Sequence, residues 1–550
     1  MIKDIIHDHL IECLDKLGIS RDKEFTVEIP NNTDHGDYST NCAMILAKEN
    51  KKAPKTLAES LIKELKKKKD YKKVEMAGPG FINFTLSPAF FQRTFREIRE
   101  AGADFGIQDF GKGEKVLLEF VSANPTGPLN IVSARAAAFG DTIYRVMKRV
   151  GYLPSREFYV NDAGNQVDIL AESLELRLRE LHGDNIGEFP YEAYHGEYVV
   201  HLAQKLNASE GVRVFMMTEK DRMEHLKEFA LNELLEMQRA SLERFDVSFE
   251  GWVSEKTLRA EGVVEEVLSY LTEADCTYEK DDAIWFASTK YGDDKDRVLM
   301  KSDGSITYFV PDLAYHLTKI QRGFDTLIDI FGPDHHGYVP RIKAAFKAMG
   351  YDDGILEIIF LQQVNLFESG ERVKMSKRAG KIVTMDDLIN VVGKDSARYF
   401  FIARKASAHL NFDLELAMQQ NNENPVYYCQ YAHARICSII KKAKKDKMWP
   451  KSFKSELAAK LNKTEELAII QKLSDLPELL TLISIHREPH RLATYIEELA
   501  AMIHKYYARY QIVSAKSKDL THARLMLLET TKQVMAIVFE LMGISAPEKM

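Results

Sequence analysis

The sequence predicts a multidomain α/β protein in which a parallel-sheet domain is flanked by a small N-terminal α+β module and a C-terminal all-α helix bundle. Three observations predict it. The 550 residues exceed what one hydrophobic core can organise, so the chain must divide. Between Gly113 and Phe360, continuous apolar runs alternate with helical stretches, the pattern of a parallel sheet covered on both faces. From about Asp413 onward almost every segment carries the helical apolar period.

The elements follow in chain order. Residues 1–88 read as a self-contained module, with an amphipathic helix Ile2–Leu17, a strand Phe25–Ile29, further helices and a strand near Val74–Phe84. The lysines Lys66–Lys69, with Lys72 and Lys73, follow the helix Thr56–Leu65 and read equally as a solvated helix end or as a phosphate contact. Residues 89–412 hold the parallel sheet: a strand Val116–Val121, a helix Ile131–Val150, a strand Glu157–Val160, and strands Leu327–Phe331 and Ile355–Phe360 around the helical stretch Val339–Met349. A helical or mixed insertion, about 168–307, interrupts this domain and includes the long charged run Glu219–Phe245. Residues 413–550 form the bundle, in which the basic run Lys441–Lys445 continues a helix.

Composition narrows the function classes. Hydrophobic residues at 45% and charged residues at 29% exclude a disordered or fibrous chain. A formal charge of −7 does not by itself suggest a polyanion partner, so any nucleic-acid contact must be local. The five cysteines lack C-x-x-C spacing, which argues against a disulfide framework or a structural zinc, and no protein-bound metal is expected. The start lacks a signal-peptide core and no apolar run is long enough to cross a bilayer, so a cytoplasmic protein is expected.

Two segments carry chemistry. The first, Glu119 to Asn130, follows a buried strand. Its Asn124, Pro125, Gly127 and Pro128 make a sharp turn, and Asn130 is suited to cap the helix that follows. A strand, a turn and a helix N-terminus offer free N–H groups and a favourable dipole to a phosphate, although the same residues would serve as a plain crossover turn. The second is Arg372 to Lys381. There Lys374 and Lys377, separated by Met375 and Ser376, can close on a triphosphate and neutralise a departing pyrophosphate. Asp334-His335-His336 invites a metal reading, but it follows a buried strand at its carboxyl end, where substrate contact is the stronger expectation. Gly111-x-Gly113 precedes its strand and is no dinucleotide fingerprint.

With Lys374-Met375-Ser376-Lys377-Arg378 in the place of a KMSKS loop, the chain resembles the class I aminoacyl-tRNA synthetases, and within them the arginyl-tRNA synthetases. The likeness extends through Ala77–Asn83, Tyr159–Gln166, Asp312–His316, Asn424–Tyr428 and Met542–Glu548. It implies a Rossmann-like catalytic domain, ATP with Mg2+ as substrate, L-arginine, and tRNA(Arg). It also implies a tRNA-elbow contact from residues 1–88, an anticodon contact from residues 413–550, and a monomer. By the same resemblance Glu119, Ser122, Asn124, Tyr308 and Asp312 surround the arginine. Carboxylates with a tyrosine hydroxyl suit a planar guanidinium with many donors. ATP would meet Pro125, Thr126, Gly127, Pro128, Asn130, Ser133, Asp334, His335, Lys374, Met375, Ser376 and Lys377. Lys374, Lys377, Asn130 and Ser133 would be catalytic, and Tyr428, Arg435, Tyr507 and Arg509 would contact tRNA.

One departure stands out. Where the family carries HIGH, this chain has Asn130-Ile131-Val132-Ser133, so both imidazoles are missing. Either Asn130, Ser133, the helix N-terminus and the lysines together stabilise the phosphates, or the chain is a weakened or silent relative that still binds tRNA. The survival of Glu119, Asn124, Tyr308, Asp312, Lys374 and Lys377 favours activity.

Overall fold

A computed structural model of the protein describes residues 2–30, 32, 35–373, 384–514 and 517–550, with the side chains at 334–336 outside that description. Near the N-terminus a four-stranded antiparallel sheet runs in the order Val27–Glu28, Tyr38–Thr40, Phe81–Leu86, Tyr71–Ala77, packed with helices Ile2–Lys16 and Pro54–Leu65. The single strand expected near Val74–Phe84 is a hairpin instead. Gly78 and Gly80 take φ of +55° and +144°, and Pro79 between them has no N–H to continue a ladder.

The central sheet has five strands, all parallel. They are β1 (Lys115–Glu119), β2 (Leu153–Val160), β3 (Gly251–Ser254), β4 (Thr326–Phe331) and β5 (Leu356–Phe360), in the order β5-β4-β1-β2-β3. Helix α1 (Ile131–Arg149) leads from β1 to β2, and helix α2 (Phe309–Gln321) precedes β4. Because the strand order runs outward from β1 in both directions, the crevice beyond the carboxyl ends of β1 and β4 is the place for a ligand. α1 crosses close above β1 at Gly140, where a Cβ would stand 2.4 Å from the ring of Phe120.

The stretch expected as a helical or mixed insertion holds both helices and strands. Besides helices Asn165–Leu181, Glu197–Glu210 and Glu219–Arg244, it supplies β3 to the central sheet and a separate antiparallel sheet of Thr277–Lys280, Ala283–Phe286 and Arg297–Met300. Strands of four residues are too short to impose a period on the surrounding helical pattern. The C-terminal bundle comprises Pro425–Lys445, Thr464–Ser474, Leu476–His486, His490–Arg509 and Lys518–Met542. Helix Pro88–Ala101 packs onto it, with Gln92 donating to the Leu461 carbonyl at 3.0 Å and Arg99 to Glu529 at 2.9 Å.

Sheet, insertion and bundle meet at one buried carboxylate. Asp141 of α1 accepts from Arg145 at 2.7 Å, Arg156 at 2.9 Å and Arg398 at 2.6 Å. Its single negative charge cannot balance three guanidiniums. The remainder is met by Glu250, 2.8 Å from Arg156, by Asp246, 3.1 Å from Arg145, and by carbonyls at two helix C-termini, where Arg398 donates to Phe245 O and Met542 O, each at 2.8 Å, and Arg145 donates to Glu540 O at 3.0 Å. Gly543 ends the last helix at φ +66°, with Arg398 so close beneath it that a Cβ would lie 2.2 Å from the guanidinium carbon.

Asp141→Asn should therefore leave the buried Arg398 guanidinium without its counter-charge, at a cost of about 3–5 kcal/mol. A thermal melt beside the wild type checks this, and an unchanged transition would remove Asp141 as the junction's anchor.

Candidate active site

β1 ends at Glu119, and the chain then turns sharply. Val121 and Ser122 adopt φ of +71° and +36°, a region uncommon for residues with a side chain and rarer still for a β-branched one. The Ser122 N–H donates to the Phe120 carbonyl at 3.0 Å, closing a γ-turn around Val121. The turn brings the Ser122 hydroxyl back to Glu119 Oε1 at 2.8 Å, and the same hydroxyl oxygen accepts from the Tyr159 N–H at 3.1 Å. At the end of this loop Asn130 caps α1: its Oδ1 accepts from the Ser133 N–H at 2.9 Å and from the Ser133 hydroxyl at 3.2 Å. The Nδ2 of Asn130 has no partner among the described residues.

The loop and the first turn of α1 form one side of a cavity of about 690 Å³. Glu119, Ser122, Asn124, Thr126, Gly127, Pro128, Asn130 and Ser133 line it, joined by Asp312, Tyr315 and His316 of α2, by Phe331 at the end of β4, and by Gly332 and Tyr338 beyond it. Pro125 is buried but is not among the lining residues. Tyr308 is not brought in either: it sits at the start of α2, one turn before Asp312 and 73% exposed. Lys374, Met375, Ser376 and Lys377 lie outside the described residues, as do the side chains of Asp334 and His335; the backbone at these last two belongs to a short 3₁₀ turn, Pro333–Tyr338.

Sequence reasoning left several residues at this site without a role. From the insertion, Gln238, wholly buried, donates from Nε2 to the carbonyls of Asn124 at 3.1 Å and Gly127 at 2.8 Å. The Tyr198 hydroxyl donates to Thr126 O at 2.7 Å. Tyr315, His316 and Lys319 recur with Asp312 at helical spacing along α2, and this polar stripe in a largely apolar helix is the signal that could have found the first three. It meets three carboxylates standing side by side across β4, β1 and β2: Asp329, Glu119 and Glu157 are direct register neighbours. Lys319 Nζ donates to Glu119 Oε2 at 2.5 Å and to Asp329 Oδ1 at 2.9 Å, while His316 Nε2 lies 2.7 Å from Asp329 Oδ2. Glu157 accepts from the Tyr315 hydroxyl at 2.8 Å and from Arg322.

The electrostatics follow from burial. Burial pushes Glu119 up and the neighbouring Lys319 ammonium opposes that shift. Burial works the same way on Asp329, but Lys319 and His316 outweigh it and hold this carboxylate low. Asp312 forms no ion pair among the described residues, and burial pushes it up to about 7. The cavity therefore has a phosphate-compatible helix N-terminus on one side and, on the other, carboxylates suited to a cation.

In the bundle, the Arg435 guanidinium lies 4.5 Å from the ring centre of Tyr507 and 5.1 Å from that of Tyr431, with His504 against Tyr428 at 4.5 Å. Arg509 is elsewhere, paired with Glu465. Tyr506, next to Tyr507 in the same helix, is buried and donates to Glu466 at 2.9 Å.

Family models place this geometry. The arginyl tRNA synthetase N terminal domain matches residues 2–86, the class I (R) tRNA synthetase catalytic domain matches 102–436, and the DALR anticodon binding domain matches 429–550. The arginine–tRNA ligase of Bacillus licheniformis is 43% identical over 554 aligned positions, spanning 100% of this chain and 99% of the relative. That of Listeria monocytogenes is 46% identical over 529, spanning 96% and 94%. The structure of Thermus thermophilus arginyl-tRNA synthetase covers all of both chains with a TM-score of 0.77 at 21% identity, a likeness of fold. Three consecutive domain matches and full-length relatives above 40% identity agree with a cavity that has a phosphate side and a cation side, and the chain belongs to the arginyl-tRNA synthetase family.

Proposed function

We infer that the chain activates L-arginine with ATP and transfers it to the terminal ribose of tRNA(Arg), Mg2+ entering with the triphosphate as part of the substrate. The observation that carries this reading is the two-sided cavity, with the α1 N-terminus and the 124–130 loop opposite Glu119 and Asp312. The arginine carboxylate attacks the α-phosphorus and pyrophosphate leaves. A ribose hydroxyl then attacks the carbonyl carbon of arginyl-AMP, and AMP leaves. Positioning and charge stabilisation supply most of the catalysis in such reactions.

Within this reading Glu119 and Asp312 receive the guanidinium, and Ser122, Asn124 and Tyr308 complete the arginine contacts. Pro125, Thr126, Gly127, Pro128, Asn130, Ser133, Asp334, His335, Met375 and Ser376 contact ATP, with Lys374 and Lys377 on the departing pyrophosphate. Residues 1–88 meet the tRNA elbow. In residues 413–550, Tyr428, Arg435, Tyr507 and Arg509 meet its anticodon arm. The enzyme acts as a monomer in the cytoplasm. Among the described residues no helix is long and apolar enough to cross a membrane.

ATP–pyrophosphate exchange tests the reaction: exchange with arginine alone, and only when tRNA is present, is expected, and its absence under all conditions would overturn the assignment. Asn130 has two separable tasks. Asn130→Ser keeps an oxygen to cap α1 but removes the amide donor, so the melting transition should hold. Exchange should slow by roughly a hundredfold, the cost of losing one donor to developing charge; unchanged turnover would remove Asn130 from the mechanism. For arginine affinity, the free Asp312 carboxyl takes up a proton at about pH 7, whereas a bound guanidinium favours the carboxylate. Binding below that pH must therefore release a proton. Affinity should fall by up to about tenfold per unit as pH drops below 7 and should level off above it. Calorimetric titration with arginine checks this, and Asp312→Asn should bind weakly with no such slope.

A further inference from the structure

We propose that Lys319 is a positioning residue for amino-acid selection: without touching the substrate, it fixes the Glu119 carboxylate and sets the pocket's charge so that a guanidinium, and not its uncharged isostere, completes it. The inference rests on the arginine end of the cavity lying between Glu119 and Asp312, as proposed above.

Glu119 and Asp329 are register neighbours on adjacent parallel strands, both buried, so their backbones are only about 4.8 Å apart. Two buried carboxylates this close do not both stay charged without a cation. Lys319, buried with them, is the cation bound to both, at 2.5 Å and 2.9 Å. Its other close neighbour is the Tyr315 ring, 4.3 Å beneath the ammonium. The third carboxylate of the row, Glu157, is taken by Arg322 and the Tyr315 hydroxyl and so does not compete for Lys319. His316 faces Asp329 through Nε2, and its Nδ1 lies 2.7 Å from the Asp312 carbonyl, so His316 is oriented by the strand on one side and by its own helix on the other.

The consequence for Glu119 is geometric. Lys319 takes Oε2 and the Ser122 hydroxyl takes Oε1, which fixes the carboxylate plane and leaves a second lone pair on each oxygen. A planar, two-pronged donor can use that pair of positions, and a bidentate guanidinium fits it. The consequence for charge is that Lys319 is shared between two carboxylates, of which Asp329 also faces His316, so a cationic ligand completes the balance at Glu119.

The test uses the full-length enzyme with tRNA and compares Lys319→Gln, which can still donate hydrogen bonds but is uncharged, Lys319→Met, which can do neither, and Lys319→Arg. Steady-state exchange gives KM and kcat for arginine, and inhibition by citrulline gives discrimination against the uncharged isostere. Both uncharged variants should raise the arginine KM by about tenfold or more and narrow the arginine-to-citrulline preference by a similar factor. Their kcat should stay within about threefold, and Lys319→Arg should recover most of the KM. Unchanged KM and preference in Lys319→Gln would overturn the proposal, as would a loss confined to kcat. Failure of both uncharged variants to fold, judged by circular dichroism and melting, would assign Lys319 to the fold and overturn it too. A wild-type enzyme without arginine exchange would instead strike at the underlying reaction, so the two failures are distinguishable.

Discussion

Asp141 sits where the central sheet, the insertion and the C-terminal bundle come together, and their mutual placement follows from how its charge is balanced. Three arginines converge on it, and two helices from distant parts of the chain end with their carbonyls turned toward the same guanidiniums. A buried ion cluster is a poor source of stability, since its desolvation cost rivals the attraction. It is a strong source of specificity, because a shift of either helix end would strand a charge. The Lys518–Met542 helix stops where Arg398 can reach its last carbonyls, and Gly543, the residue that turns the chain away, leaves no room for a side chain there.

The same junction links the bundle to the cavity through one rigid element. Helix Glu219–Arg244 holds the 124–127 loop by Gln238, in its C-terminal third. Through Ser241 and Arg244 it grips Asp386 of the helix Met385–Val392, and the residue that follows its end, Phe245, offers its carbonyl to Arg398. Arg398 in turn holds Met542 of the bundle. Loop, helix and bundle are thus joined by an unbroken series of hydrogen bonds along one helix. This is a continuous physical connection, and coupling along it would have to be measured by paired substitutions.

Much of the fold was legible because burial on both faces writes long apolar strands, and four of the five central strands announced themselves that way. Gly251–Ser254 did not, being a four-residue edge strand inside a helical stretch, and the Gly78–Gly80 hairpin was concealed because strand-like residues continue on both sides of its turn. At the site, Asn130 and the turn residues were legible through their backbone demands. Lys319 was not, since a lysine on a helix reads as solvent-facing until the sheet beneath it is known to carry carboxylates. Tyr308 had every chemical reason to be chosen, yet its position at the helix start leaves it exposed.

Asn130 also bears on how charge is distributed within the site. An amide that spends its oxygen capping α1 is left with its nitrogen as donor, so one side chain can serve the helix and a phosphate together. What it cannot supply is positive charge. Where a pair of imidazoles could carry part of the charge developing on ATP, Asn130 and Ser133 offer dipoles only, and the Ser133 hydroxyl is engaged with Asn130. In the proposed reaction the protein's cationic share of the stabilisation, beside the Mg2+ that enters with ATP, then falls to Lys374 and Lys377, while the α1 N-terminus contributes its oriented N–H groups. The replacement moves charge away from the rigid helix start and leaves the lysines with a larger share of the work, which makes α1 a better-capped helix and a weaker electrostatic partner.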